Sequence, residues 1–469
     1  MVNGNRNPVR RAIDYYRDPV YFQQLFKIGI PITLNQFFFS LLNMVGTVMI
    51  GQNGDTAMAA VGLAGQVWFL LNLFLFGIIS GSAMVTAQLW GKQDVAGIRK
   101  VLALCLWMSV IVAGIFVALS ETIPGTILGI YTIDPEVIAL GSDYLRVFAG
   151  SFIFFAITFS YGLVLRSTGN VKLPTIVSIV SLGLNILLSY ALIFGKFGLP
   201  ELGVLGAAWA VFISRALECA ALLAITYQIK SPVAASLREL MTFDRRFFVR
   251  VMKPILPVAL NELLWSLGIT TYNAVYGHIG TDAVAAINIM STADNLAMVI
   301  FIGLSNATSV MVGNKIGAGE IEDANRFVGR SIGLAPSLAV LMGITVLLLR
   351  DPVIGLYQVS PEAAAAAYRL LTILGLFLWV RMTNMVLIIG MMRGGGDTRF
   401  SLFLDGFIIW ILGVPMALLG AFVLDLPVHW VYLMVMSEEA AKWVLGLRRY
   451  FTRKWIHDLT HLSASAPAE

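Results

Sequence analysis

The side chains best equipped for chemistry in this 469-residue chain are the few ionisable groups that interrupt its long apolar runs. A charge carried into hydrocarbon is costly, so such groups face a bundle interior, pair with one another and mark ion pathways. Glu262 lies about nine residues into one run, roughly 14 Å at 1.5 Å per residue, and Asp294 about eleven residues into the next, which places both near mid-membrane. Asp405 lies in a later run, toward the cytoplasmic side. Arg381 and Asn384 are three residues apart and share a helix face, and Asn261 stands beside Glu262.

The chemistry these groups offer is the binding and release of a small cation. Two carboxylates held close in a poorly hydrated site repel each other, and a single H⁺ or Na⁺ relieves the repulsion. Glu262 and Asp294 fall on sequence-adjacent antiparallel helices, so they are expected to face one another and hold that ion. Asp405 is a candidate third ligand, with Asn261, Arg381 and Asn384 in support. A structural hydrogen bond or ion pair is the competing reading, and for Arg381 and Asp405 it stands on equal terms. Arg215 with Glu218, and Glu439 with Lys442, sit at i,i+3 and read as structural pairs that neutralise each other; Glu438 lies alongside.

Other chemistries find no support. The phosphate-binding pattern GxxxxGK[ST] does not occur. Four histidines, at 278, 429, 457 and 461, fall in loops or the tail without metal-ligand spacing. Cys105 and Cys219 both lie in apolar runs, which excludes a disulfide framework. No cofactor is expected beyond the coupling ion, and the net charge of +5 reflects topology rather than nucleic acid. Nothing in the sequence points to an enzyme.

The elements that must position these residues are membrane helices. The chain is 58% hydrophobic and 13% charged, against about 25% charged for soluble domains. Apolar segments near 26–51, 59–89, 101–121, 137–165, 173–195, 203–229, 254–277, 283–313, 327–349, 364–392, 400–424 and 428–447 are long enough to span a bilayer. The expected fold is an all-α polytopic membrane protein of twelve transmembrane helices, without the alternation of a barrel. Most of the 32 lysines and arginines fall on one side, with only Lys196 and Arg350 in outer loops. That asymmetry puts both termini in the cytoplasm. The first 24 residues are polar and basic, so no cleavable signal peptide is expected. Trp90, Trp430 and Trp455 fit an interfacial belt, while Trp68, Trp209 and Trp265 read as deeper packing. Kinks are expected at Pro31, Pro257 and Pro415.

The sequence repeats. GQNGDTAMAAV at 51–61 matches GHIGTDAVAAI at 277–287, a shift of 226 positions. The same shift pairs Pro31 with Pro257, Asn35 with Asn261, Gly77 with Gly303 and Gly91 with Gly317. One inserted residue later, RSTGN at 166–170 matches RGGGD at 393–397, a tight cytoplasmic turn. The fold is therefore expected as two six-helix lobes related by a parallel repeat. Residues 1–229 form the first lobe, 230–253 the cytoplasmic linker, 254–455 the second lobe and 456–469 the cytoplasmic tail.

PITLNQ and VGTVMIG in the first helix, VTAQLWG, LRSTGN, the LNILLSYALIFGKFGLPELGVLGAAWA stretch and MMRGGGD together resemble the multidrug and toxic compound extrusion (MATE) family. The family belongs to a larger superfamily of oligosaccharide and lipid flippases. The resemblance covers essentially the whole chain. It implies a secondary antiporter that exports amphipathic, often cationic organic compounds or metabolites against H⁺ or Na⁺ by alternating access. It also implies a bacterial inner-membrane location and a monomer. The sequence departs from the family pattern, and so resembles a divergent branch. Gly46 stands where members commonly carry a first-helix aspartate, and Ser189 where a fifth-helix aspartate is found. The seventh-helix glutamate of one branch falls on Trp265, and its tenth-helix aspartate near Met382. Two alternatives stand beside the exporter: a flippase for lipid-linked sugars, which calls for several cleft arginines or lysines, and a receptor or scaffold without transport.

Overall fold

The computed structural model describes residues 15–241 and 244–463. The arginines at 6, 10 and 11 that support the orientation, and the tail beyond 463, lie outside the described residues. Among these residues no strand forms, and one isolated bridge joins Gly396 to Ile456. The first half of the chain contains α1 (Pro19–Gly51), α2 (Asp55–Gly91), α3 (Val95–Thr122), α4 (arms Pro135–Ala149 and Ser151–Ser167), α5 (Lys172–Ile193) and α6 (Val204–Gln228). The second contains α7 (Arg245–Ile279), α8 (Thr281–Gly317), α9 (Ile321–Gly355), α10 (Pro361–Met385, continuing as a π-helix over Val386–Arg393), α11 (Thr398–Val423, alternating α and π turns) and α12 (Val428–Phe451).

Among the described residues, nine of these segments contain an apolar stretch long enough to cross a membrane, and the two arms of α4 make a tenth. The remaining two, α7 and α12, are long enough to span but carry the polar residues singled out above. The prolines at 31 and 257 lie inside continuous helix. A 42° bend falls at Gly150 in α4. There the Phe212 ring lies 2.8 Å from where a side chain would begin, so only glycine admits it. Trp68 packs among Phe148, Phe152 and Phe155, with ring centroids 4.4 Å from Phe155. Trp209 differs from expectation, being 42% exposed on the apolar surface.

Packing divides the chain into two compact units, Met1–Thr33 with Leu260–Thr460, and Leu34–Ala259 with His461–Glu469. The divisions cut α1 and α7, not the connection at 230–253, so the compact units are not the halves of the repeat. Small residues explain this. In the second-named unit, Gly77 on α2 approaches α7 so closely that a Cβ would meet Ala259 Cα at 2.6 Å. In the other, a Cβ on the repeat-related Gly303 of α8 would stand 2.9 Å from Gly29 O of α1 and collide with Thr33. Each unit thus closes around the opening half of one long helix through a glycine contact that admits no side chain.

The connection after α6 is packed, not loose. Val233 and Ala235 are buried, and the Tyr227 hydroxyl donates to Ala235 O at 2.6 Å. Arg99 of α3 donates to Pro232 O at 3.1 Å and pairs with Glu239 at 2.9 Å. The Ser236 backbone N–H and the Arg99 guanidinium hold the Glu239 carboxyl down at about 2, so it stays charged at neutral pH.

These contacts generate a test. Gly77→Leu and Gly303→Leu should each overpack a helix crossing and destabilise by about 1–3 kcal/mol. Gly46, with no atom within 4 Å of its Cβ position, is the control, and Gly46→Ala should leave the unfolding temperature in detergent unchanged.

Candidate functional site

The unit that contains Leu260–Thr460 gathers its ionisable residues on α7, α8, α10, α11 and α12. A carboxylate stripped of water needs a cation or donors within hydrogen-bond reach, or its desolvation outweighs what it gains. Every deep carboxylate here has one. Arg393 Nη2 donates to Glu262 Oε1 at 2.5 Å, with both side chains nearly buried. Arg381 Nη1 donates to Asp294 Oδ2 at 2.7 Å. Lys442, 2% exposed, reaches Asp405 Oδ1 at 2.9 Å and Glu438 Oε1 at 2.5 Å. Asn261 Nδ2 completes Asp405 at 2.9 Å, and the Tyr272 hydroxyl donates to Glu438 Oε2. Asn384 donates to Glu439 Oε2 at 2.7 Å and to its carbonyl at 2.8 Å.

A continuous chain of polar contacts therefore runs from Tyr272 through Glu438, Lys442 and Asp405 to Asn261, whose sequence neighbour Glu262 holds Arg393. Five carboxylates (Glu262, Asp294, Asp405, Glu438, Glu439) share three cations (Arg381, Arg393, Lys442). Arg393 Nε and Nη1 and Asn261 Oδ1 have no protein partner, which leaves hydrogen-bonding capacity at the same place.

Three expectations change. Glu262 and Asp294 do not form a shared ion cage, because each is held by its own arginine. Among the described residues no three acidic, histidine or cysteine side chains converge on a metal position. Guanidinium groups at 2.5 and 2.7 Å also repel Na⁺, so these residues do not fit a sodium site. Lys442 does not pair with Glu439; it turns to Glu438, four residues back, and to Asp405, while Glu439 goes to Asn384 on α10. Arg393, assigned to a cytoplasmic turn, is buried. It closes the π-helical end of α10, where the wider turn shifts side-chain phase away from 3.6-residue periodicity. Nothing in the sequence pattern reveals that shift. Repeat-related Arg166, also at the end of its helix, was the available hint.

In the other unit, Arg215 pairs with Glu218 at 2.7 Å, and Ser178 donates to the second Glu218 oxygen at 2.7 Å. Ser181 and Asn185, on the same side of α5 as Ser178, bond Ser214 of α6 at 3.1 Å. Glu218, 3% exposed, is thus tied into the α5–α6 seam. Ser189 is buried, and Gly46 opens onto no neighbour.

The MatE family model matches residues 31–191 and again 257–419. The two matches begin 226 positions apart, the register of the internal repeat. The chain belongs to the MatE family. A probable multidrug resistance protein NorM of Rhizobium meliloti is 31% identical over 417 residues, covering 84% of this chain and 85% of that relative. Another NorM-named relative, from Thermotoga maritima, is 25% identical over 442 residues, covering 93% and 94%. A crystal structure of MATE in the bent conformation matches with a TM-score of 0.84 over 97% of this chain and 99% of that one. At 20% identity that likeness speaks for the fold alone, twelve helices in two lobes. This MatE-family chain is a multi-pass membrane transporter and not an enzyme.

The Arg215–Glu218 pair gives a measurable consequence. Arg215→Ala strands a buried carboxylate and should cost about 3–5 kcal/mol, read as lower expression and a lower unfolding temperature. Pairing it with Glu218→Leu should restore both. A double variant that folds normally yet transports nothing would place this pair in the mechanism.

Proposed function

We propose that this MatE-family chain is a proton-coupled exporter of amphipathic, cationic organic compounds, working as a monomer in a bacterial plasma membrane with both termini cytoplasmic. The multidrug names of its relatives support the export of organic compounds. The observation that carries proton coupling is the buried Glu262–Arg393 pair. An ionised Glu262 binds Arg393 strongly in a poorly hydrated interior; a protonated one releases most of that attraction. Asp294–Arg381 and Asp405–Lys442 offer the same two states. Ion-paired and proton-separated arrangements differ in how α7, α8, α10 and α11 pack. Proton binding on one side and release on the other then biases alternating access. No cofactor enters this reading beyond the proton. Sodium is disfavoured because Glu262, Asp294 and Asp405 each already have a cationic nitrogen within 2.9 Å.

The surplus of carboxylates also suits a cationic cargo. The flippase alternative draws no support from this unit, where Arg381, Arg393 and Lys442 are all committed to acids and leave no free cluster for a pyrophosphate. In the other unit, Gly46 and Ser189 stand where the family often has aspartates, which leaves coupling to Glu262 and its neighbours.

Proteoliposomes loaded with a panel of cationic dyes test the proposal, with pH and Na⁺ gradients imposed separately. A pH gradient should drive export and a Na⁺ gradient at constant pH should not. Glu262→Gln should fold, insert and lose gradient-driven export. Transport that survives both Glu262→Gln and Asp294→Asn with unchanged ion dependence would remove these residues from the mechanism.

A further inference from the structure

Past α12 the chain folds back onto the turn between α10 and α11. Trp455, expected at the membrane interface, is instead fully buried. Its ring and carbonyl lie against Gly395 so closely that any side chain there would collide with them. Ile456 forms an antiparallel bridge with Gly396, and His457 N donates to Gly395 O at 2.7 Å. Gly396 adopts φ +85°, a left-handed conformation that glycine accepts without strain. Asp397 then takes Arg449 Nε of α12 at 2.6 Å and lies 3.5 Å from His457 Nε2. Leu459 and Thr460 are also buried.

The inner side of the same turn is equally close. A Cβ on Gly394 would stand 2.8 Å from Ser309 O and 2.9 Å from Ser309 Cα, both of α8. The turn is thus gripped between α8 and the returning chain, and the residue directly before it is Arg393. At the related turn in the other half, 166–170, no atom of the described residues lies within 4 Å of the Cβ position of Gly169, at φ +82°.

We propose that Trp455–Leu459 is a strap whose grip on the Gly394–Asp397 turn holds Arg393 against Glu262, making Trp455 and Asp397 positioning residues of the coupling site. This rests on Glu262 being that site. The strap acts by geometry. Arg393 Nη2 meets Glu262 Oε1 at 2.5 Å from the residue directly before the gripped turn. Burial pushes the Asp397 carboxyl up, but hydrogen bonds from His457 and Arg449 outweigh it and hold it below the usual carboxylate range. Stability from such a group is fully present above the usual titration range of aspartate and is lost as pH falls through the depressed value. The Asp397 contribution to the strap is therefore fully present at neutral pH.

Two measurements on the full-length protein decide this. Hydrogen exchange of the 394–400 amides should speed up about tenfold or more in Trp455→Ala and in Asp397→Asn, the second of which opens no cavity. Gradient-driven export by the same variants should fall about tenfold in turnover, with KM for dye nearly unchanged, since a small misplacement at a site is costly. Trp455→Phe should retain both properties. In a Glu262→Gln background, Trp455→Ala should accelerate exchange yet change transport no further. Exchange that stays slow in both variants overturns the strap. Fast exchange with normal transport overturns its action on the site. Gradient-driven export that survives in Glu262→Gln alone overturns the coupling reading and with it the positioning role, whereas the exchange data still report whether the strap grips the turn.

Discussion

The structure is organised by the need to neutralise carboxylates that have been taken out of water. An unpaired acid in an apolar interior is expensive, and breaking one member of a buried pair costs about 3–5 kcal/mol. Lys442 shows how that constraint shapes a bundle. Its ammonium joins Asp405 on α11 to Glu438 on α12, and Asn261 and Tyr272 bring α7 to the same two acids. Arg393 and Arg381 do the corresponding work between α10 and α7, and between α10 and α8. These groups hold five helices to one another through a small set of donors.

Close packing sets the second constraint. Without water to exclude, membrane helices gain from backbone approach, and small residues allow it. Gly77 against Ala259, and Gly303 against Gly29 and Thr33, are the same contact at repeat-related positions. Each draws the opening half of a long helix into the unit built from the other half of the sequence. Helices α1 and α7 belong to two packing environments along their length.

The segments that follow α6 and α12 extend the same logic beyond the spanning helices. Val233, Ala235 and Trp455 are buried although they lie outside any long helix. Backbone groups along these segments find partners: Tyr227 donates to Ala235 O, Arg99 to Pro232 O, and His457 N to the Gly395 carbonyl, as a buried irregular chain requires. What reads as linker and tail by polarity is structured by a few hydrogen bonds and a single large ring.

Composition and apolar run length alone established an all-helical membrane protein, because spanning hydrocarbon leaves the backbone few choices. The constant shift of 226 established the duplication, which the two family matches reproduce. Glu262, Asp294, Asp405, Arg381 and Lys442 were legible as unusual because charge inside an apolar run is conspicuous in one dimension. The Arg215–Glu218 partnership was legible too, since i,i+3 spacing fixes proximity on a single helix. Partnership between helices was not. Glu262 goes to Arg393 and not toward Asp294, and Lys442 to Glu438 and Asp405 and not Glu439, because rotation and depth of separate helices decide which side chains meet. The π turns at Val386–Arg393 shift that rotation in a way that periodicity conceals. Trp455 was misread for the same reason. A tryptophan near a helix end has the composition of an interfacial anchor, and only the returning backbone shows that a glycine turn has made room for it.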